Sequence, residues 1–348
     1  MRKGRVIVDG DILAYRAAAA NTRRFVKVTH KETAESLEFD TLTKFREWAG
    51  SRADQYEVVP DQVAEDIQFA YASMNRSLEH IVEMAGCTEY HIVVSGDNNF
   101  RLDLPLPSRY KSNREGGQRP PQLLDCKQYL IHRKGAEVSD GVEADDVLCA
   151  YAYAGLIEEK AQRKAGVAEE DIFITVQNSI DKDAKHGPWW LLDHTTMREP
   201  MLIEGYGGLT CTERDTGRKT VKGTPVIEKI IKGHGRAFLY FQMAFGDAID
   251  GYKPCELAKV KFGEVGGYEL LKHAKNDKEA LEALVTRYKL WYPSAVTYRA
   301  WDDSLHTKDW LQLMQLYADC AFMRRWPGDR LDIPKLLDKL GVNYKDSE

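Results

Sequence analysis

The sequence predicts an α/β fold, a mainly parallel central sheet flanked by helices, followed by a helical C-terminal half. Short apolar, β-branched runs alternate with segments of helical period through the first half of the chain, the pattern of strands joined by crossover helices. Three of those runs lead into aspartates. From residue 238 onward helical spacing takes over.

The elements follow in order. Val6-Ile7-Val8 reads as a short buried strand, and the alanine-rich Ile12 to Ala20 as a helix. Phe25 to Val28 and Ser36 to Phe39 bracket a polar turn and predict an inserted hairpin. Val63 to Ala85 carries Ile67, Tyr71, Met74, Leu78 and Ile81 at helical spacing. His91 to Val94 is a second strand. Leu123 to Arg133 is a helix stopped by Gly135. Ala136 to Val138 is a short strand, Glu143 to Tyr153 a helix, and Ile172 to Val176 a third buried strand. Trp189-Trp190 is expected to pack a strand edge. Gly205 to Gly223, rich in Gly, Thr, Lys and Arg, reads as a loop or β excursion. From Ile227 the chain reads as mostly helical: Phe238 to Phe245, Tyr268 to Ala274, Lys278 to Tyr288, Lys308 to Arg325 and Ile333 to Leu340. Residues 346–348 read as a frayed tail. The domain organisation expected is an α/β core over 1–186, a β/loop excursion over 187–237 and a helical region over 238–348.

The 348 residues, 43% hydrophobic, supply ample core. No run of about 18 apolar residues occurs, which predicts no membrane span. Residues 1–5 are basic but lead straight into a strand, without a signal-peptide pattern, so the expected location is cytoplasmic, the host's cytoplasm were the chain phage-encoded. The six cysteines are scattered and form no C-x-x-C pair, which argues against a cysteine zinc site.

The acids are the strongest chemical signal. Val6-Ile7-Val8 ends at Asp9, His91 to Val94 continues to Asp97, and Ile172 to Val176 leads to Asp181 and Asp183. In open α/β sheets, sites form outside the carboxyl ends of the strands, so parallel neighbours would bring these four together. Glu143, Asp145 and Asp146 open a helix, where the dipole favours acids by about 0.3–1 kcal/mol each; helix capping alone also explains them. Asp247 and Asp250 follow a helical run, where the dipole disfavours acids and a bound cation would account for them. Close carboxylates raise one another's pKa unless neutralised, and hard cations with oxygen ligands do this best. Two magnesium ions, or manganese in their place, about 3.5–4 Å apart would suit phosphodiester cleavage. No histidine shares these motifs, which disfavours zinc. The net charge of −5 does not exclude nucleic acid: setting the nine named acids aside leaves 45 acids against 49 Lys and Arg.

Several motifs occur in the order in which the 5′-nuclease (flap endonuclease) superfamily carries them. They are Val8-Asp9-Gly10-Asp11-Ile12-Leu13-Ala14-Tyr15-Arg16, Tyr110-Lys111-Ser112-Asn113-Arg114, Val142-Glu143-Ala144-Asp145-Asp146, Asp181-Lys182-Asp183 and Gly246-Asp247-Ala248-Ile249-Asp250-Gly251. The chain resembles that superfamily, and most closely its bacteriophage 5′→3′ exonucleases, over roughly residues 5–20, 90–150, 171–186 and 238–272. The resemblance implies a PIN-like 5′-nuclease core and a 5′→3′ exonuclease or structure-specific flap endonuclease acting on DNA with a 5′ end, as duplex, flap or RNA–DNA hybrid. It further implies a setting of replication or recombination, with replication proteins as further partners. Asp9, Asp97, Glu143 and Asp145 would surround one ion with Asp146 alongside, and Asp181, Asp183, Asp247 and Asp250 would hold the second. Arg16 would reach a DNA phosphate. Tyr110, Lys111 and Arg114 would form the base of a helical arch near 100–125, with Lys111 and Arg114 catalytic toward the scissile phosphate. A helix-hairpin-helix-like element would grip duplex DNA around Gly263. There the family's first glycine is Lys261 and its usual lysine is Val265, so Lys259 or Lys261 would supply the charge.

Each residue also has a plainer reading. Asp11 reads better as an N-cap than as a ligand. Lys111 and Arg114 belong either to a solvated basic loop or to a phosphate site, and Tyr110 either to the core or to a base-stacking platform. His186 reads as a surface or second-layer residue, and Lys182 as a moderator of repulsion between its aspartate neighbours. The competing functions are a PIN-type ribonuclease and a non-catalytic binder of branched DNA.

Overall fold

A computed structural model describes residues 3–114, 116–219 and 223–345; the expected tail at 346–348 lies outside them. The elements run β1 (Gly4–Asp9), α1 (Gly10–Ala20), β2 (Thr22–His30), β3 (Ser36–Phe39), α2 (Leu42–Ala49), β4 (Tyr56–Ala64), α3 (Ile67–Ala85), β5 (Glu89–Val94), α4 (Leu123–Lys134), β6 (Glu137–Val138), α5 (Ala144–Lys164), β7 (Ile174–Asn178), β8 (Trp189–Leu192) and β9 (Met201–Ile203). They continue with β10 (Gly208–Lys219), β11 (Pro225–His234), α6 (Arg236–Phe245), α7 (Glu264–Leu271), α8 (Asp277–Trp291), β12 (Val296–Arg299), β13 (Leu305–Lys308), α9 (Trp310–Ala321) and α10 (Ile333–Leu340).

The chain divides into two compact units that interleave along the sequence and so do not follow the three contiguous segments expected. One comprises residues 1–9, 82–116 and 138–348; the other comprises 10–81 and 117–137. The first unit holds the central sheet, ordered β6-β5-β1-β7-β8-β9. Strands β1, β5, β7 and β8 pair in parallel, and β9 runs antiparallel at one edge. The continuous apolar run of β1 is what a central parallel strand needs, since Val6, Ile7 and Val8 are wholly buried. Helix α5 covers this sheet, with Ala144 and Leu148 packed on Ile7 and Val93. Gly155 sets that approach: a Cβ there would stand 2.2 Å from Thr175 of β7. The helical region belongs to the same unit. Leu239 and Met243 of α6, Leu284 and Tyr288 of α8, and Leu313 and Tyr317 of α9 share one core.

Two hairpins and a strand correct the expectation. β10 and β11 pair antiparallel from Gly208↔His234 to Lys219↔Pro225, so the expected β or loop excursion over 187–237 holds a hairpin, and its second strand runs past Ile227, from where mostly helical character was expected. β12 and β13 pair within the supposed helical region. Trp189-Trp190 lies inside the sheet, with β8 between β7 and β9. The connection between α6 and α7 is a long run of turns, not a short hairpin.

The second unit joins β2, β3 and β4 in an antiparallel sheet, so the expected 25–39 hairpin gains a third strand. Helix α1 packs beside α4, and its Ala14, Ala17 and Ala18 are buried. Asn21 at the end of α1 donates to Gln122 Oε1 at 2.7 Å and to Asp66 O at 3.1 Å. Tyr71 of α3 stacks on Tyr129 of α4 at 4.2 Å. Among the described residues no helix is long and apolar enough to cross a membrane.

Candidate metal centre

The parallel register brings the strand ends together. Val8 of β1 pairs with Asn178 of β7, so Asp9 and the segment 179–183 leave the sheet side by side. Ser179 links them: its hydroxyl donates to Asp9 Oδ2 at 3.4 Å and accepts from the Asp181 N–H at 3.1 Å. The Asp183 N–H in turn donates to Asp181 Oδ1 at 2.9 Å. Glu143 caps α5 and Asp145 lies in its first turn. Burial, and then the charges of Asp9, Asp181 and Glu143, push the Asp145 carboxyl well above its ordinary range, against the pull of Lys111.

The second acidic turn follows α6. Gly246 turns the chain at φ 95°, and a Cβ there would stand 2.3 Å from Tyr252 O, so glycine is required. Asp247 Oδ1 accepts the N–H groups of Ile249 at 2.8 Å and Asp250 at 3.4 Å. Carboxylate oxygens of Asp183, Asp247 and Asp250, all buried, lie within 4.8 Å of one another. Burial, with the charges of Asp181, Asp250 and Asp247, pushes Asp183 well up; the Gln242 side chain opposes this by donating at 2.5 Å. Asp181 is thus felt by both groups of acids.

Three cations answer them. Lys111 Nζ lies 2.5 Å from Glu143 Oε1 and 3.7 Å from Asp250 Oδ1, Arg114 Nη2 lies 2.8 Å from Asp250 Oδ1, and Lys182 Nζ lies 2.6 Å from Asp247 Oδ2. Lys111 takes φ 60°, a left-handed conformation that costs a non-glycine residue about 1–2 kcal/mol. Its N–H donates to Asp250 O at 2.9 Å, which holds the basic loop against the acidic turn. Asn113 adds a bond from its Nδ2 to Ala248 O at 2.6 Å.

Asp146, expected beside a metal, is otherwise engaged. Its Oδ2 accepts from Arg101 Nη1 at 2.6 Å and from Glu143 N at 3.1 Å, and its Oδ1 from Arg101 Nη2 at 3.0 Å and Arg324 N at 2.9 Å. Burial alone would raise its pKa, but the Arg101 charge and these donors hold it below the usual range. Arg101 is fully buried, and all five of its N–H groups have acceptors, Glu143 and the carbonyls of Cys320 and Phe322 completing the set. The guanidinium thereby orients Glu143 and the start of α5. Sequence reasoning missed it, because its partners are scattered: Glu143 and Asp146 open α5, and the two carbonyls lie more than two hundred residues away in α9 and just beyond. Arg101→Lys keeps one charge but loses the planar fork, so stability is expected to fall by about 2 kcal/mol in urea titration, the size of a lost charged hydrogen bond.

Other expected positions divide. Tyr110 is a core residue and not an exposed stacking platform: it is buried among apolar side chains, and its hydroxyl donates to Asp250 Oδ2 at 2.7 Å. Asp97 is exposed on the loop after β5, outside the groupings above. Asp11 lies inside α1 and is not its N-cap, because the helix starts at Gly10; it pairs with Lys127 at 2.7 Å. His186 is buried and not a surface residue, and burial brings its pKa down to about 3, so the ring is neutral. Arg16 is exposed on α1 in the second unit, while Lys259, Lys261 and the α7 N-cap Gly263 are exposed in the first. Gln242, also missed, had left a signal: it is the lone amide in the apolar and aromatic run from Phe238 to Phe245.

With Asp146 held by Arg101, seven acids (Asp9, Glu143, Asp145, Asp181, Asp183, Asp247 and Asp250) outnumber the cations paired with them among the described residues, which are Lys111, Arg114, Lys182 and, on Glu143, Arg101 itself. The donors are all oxygens, the preference of magnesium, calcium and manganese. The residues therefore fit a hard metal ion.

No family model matches the chain, and no curated protein matches it. Among solved structures, a crystal structure of T5 D15 protein co-crystallized with metal ions is similar, with a TM-score of 0.45 and 13% identity over 98% of each chain. The likeness is shallow.

Proposed function

We propose that this protein is a metal-dependent 5′-nuclease that hydrolyses phosphodiesters of DNA carrying a 5′ end. The carrying observation is the buried group of Asp183, Asp247 and Asp250, whose carboxylate oxygens lie within 4.8 Å of one another, with Asp9 and Asp181 joined through Ser179 where parallel strands β1 and β7 end. The order of the five sequence motifs supports the 5′ polarity.

On this reading Asp9, Glu143, Asp145 and Asp181 would hold one divalent ion, and Asp183, Asp247 and Asp250, with Asp181 nearby, a second. Magnesium is the preferred ion, and manganese would replace it. When bound, the ions would activate water and stabilise the leaving oxygen. The protein's own contribution is to bind and orient. Lys111 and Arg114 keep part of their side chains exposed and would receive the scissile phosphate. Arg101 and Gln242 fix Glu143 and Asp183, and Asp97 is left as an outer contributor. The exposed Arg16 would meet DNA backbone, as would Lys259, Lys261 and the α7 N-terminus at Gly263.

The test is cleavage of a 5′-labelled flap and of a blunt duplex. Product is expected with Mg²⁺ or Mn²⁺ and none in EDTA. Undiminished cleavage in EDTA would remove the two-ion reading.

A further inference from the structure

Lys182 is flanked by two aspartates in sequence, yet its ammonium reaches a third, Asp247, across the fold. The choice of atom is informative. Asp247 Oδ1 already accepts two backbone N–H groups of its own turn, so Oδ2 is the oxygen left to face a cation. Lys182 Nζ sits on that oxygen at 2.6 Å. Asp247 is buried and belongs to the tight Asp183–Asp247–Asp250 group, whereas the lysine side chain is 35% exposed. A buried acid is thus neutralised by a cation that has a route to solvent.

We infer that Lys182 is a built-in counter-ion, holding the cation-facing oxygen of Asp247 until a divalent ion displaces it. This rests on the metal-dependent reading above. Two cations cannot both approach one oxygen closely without repulsion, since unit charges a few ångströms apart interact strongly even at intermediate dielectric. Loading an ion therefore requires the ammonium to swing outward, and part of the ion's binding energy is spent on breaking the pair. The lysine in turn keeps the metal-free fold from carrying unscreened acids.

The experiment is calorimetric Mn²⁺ titration of the full chain as wild type, Lys182→Met, Lys182→Gln and Lys182→Arg, with thermal unfolding in EDTA. Met and Gln variants are expected to bind Mn²⁺ on the order of tenfold more tightly, the scale of one partly buried ion pair, and to melt lower in EDTA. Lys182→Arg should restore wild-type values in both. If a variant does not survive metal stripping, its affinity is read by competition with a fluorescent chelator from the loaded state. Equal or weaker Mn²⁺ binding by both uncharged variants overturns the counter-ion role while leaving the metal centre standing. Absence of Mn²⁺ binding by the wild type overturns the metal centre itself.

Discussion

Asp181→Ala is expected to abolish cleavage of a 5′-labelled DNA flap while leaving DNA binding intact or stronger. Asp181 is the carboxylate felt by both groups of acids, raising Asp145 on one side and Asp183 on the other. Its removal would strip both proposed ions of a shared neighbour, so no single ion could compensate. Binding should not suffer, because the change removes negative charge where phosphate would lie. Asp181 Oδ1 also accepts the Asp183 N–H, so the local turn loosens. An Asp181→Asn variant keeps that acceptor and should be equally inactive. Circular dichroism would establish folding, filter binding in Ca²⁺ the affinity, and gel assay the turnover. Wild-type turnover by a folded Asp181→Asn would place the chemistry elsewhere.

The acidic strand ends were readable because a parallel sheet leaves few choices. A wholly apolar run such as Val6 to Val8 must be central, and the residue after it, Asp9, must then lie at the sheet's carboxyl edge. Helix α10 was readable as well, bounded by Asp332 and by Gly341 in the left-handed conformation that ends helices. Strand β11 was legible only as part of a β or loop excursion: Ile227, Ile230 and Ile231 fit a helical stripe as well as a strand, and pairing with β10 decides between them. β4 was hidden in the same way, since only its partner β2 distinguishes Tyr56 to Ala64 from an irregular segment. Tyr110 and Asp146 show a different gap. Both lie in the expected motifs, but whether a side chain faces solvent, an ion or a buried arginine depends on contacts distant in sequence. Arg101 is the extreme case, since nothing local announces a guanidinium with five buried acceptors.

Lys111→Ala is expected to lower kcat by about 10²-fold, the effect of one lost electrostatic stabiliser. Lys111 is held in an unusual backbone conformation by the Asp250 carbonyl, and its ammonium stands between Glu143 and Asp250, next to the acids that would hold metal. Burial lowers its pKa, but Glu143 and Asp250 more than offset this, so the group stays charged across the neutral range. A fixed cation there lowers the barrier where phosphate gains charge. Affinity should change less than kcat, and the loss should shrink with salt, as for one phosphate contact among several. Arg114, whose guanidinium reaches the same Asp250 carboxylate, would carry the residual activity, so Lys111→Ala with Arg114→Ala should fall further than either alone. Polarity is read in the same assay. With one strand labelled at each end in turn, products should leave from the 5′ end first, and a bulky 5′ block should slow them where the strand must thread. An unchanged kcat in Lys111→Ala, or release from the 3′ end first, would reassign the basic loop to a solvated surface while the acidic centre remains.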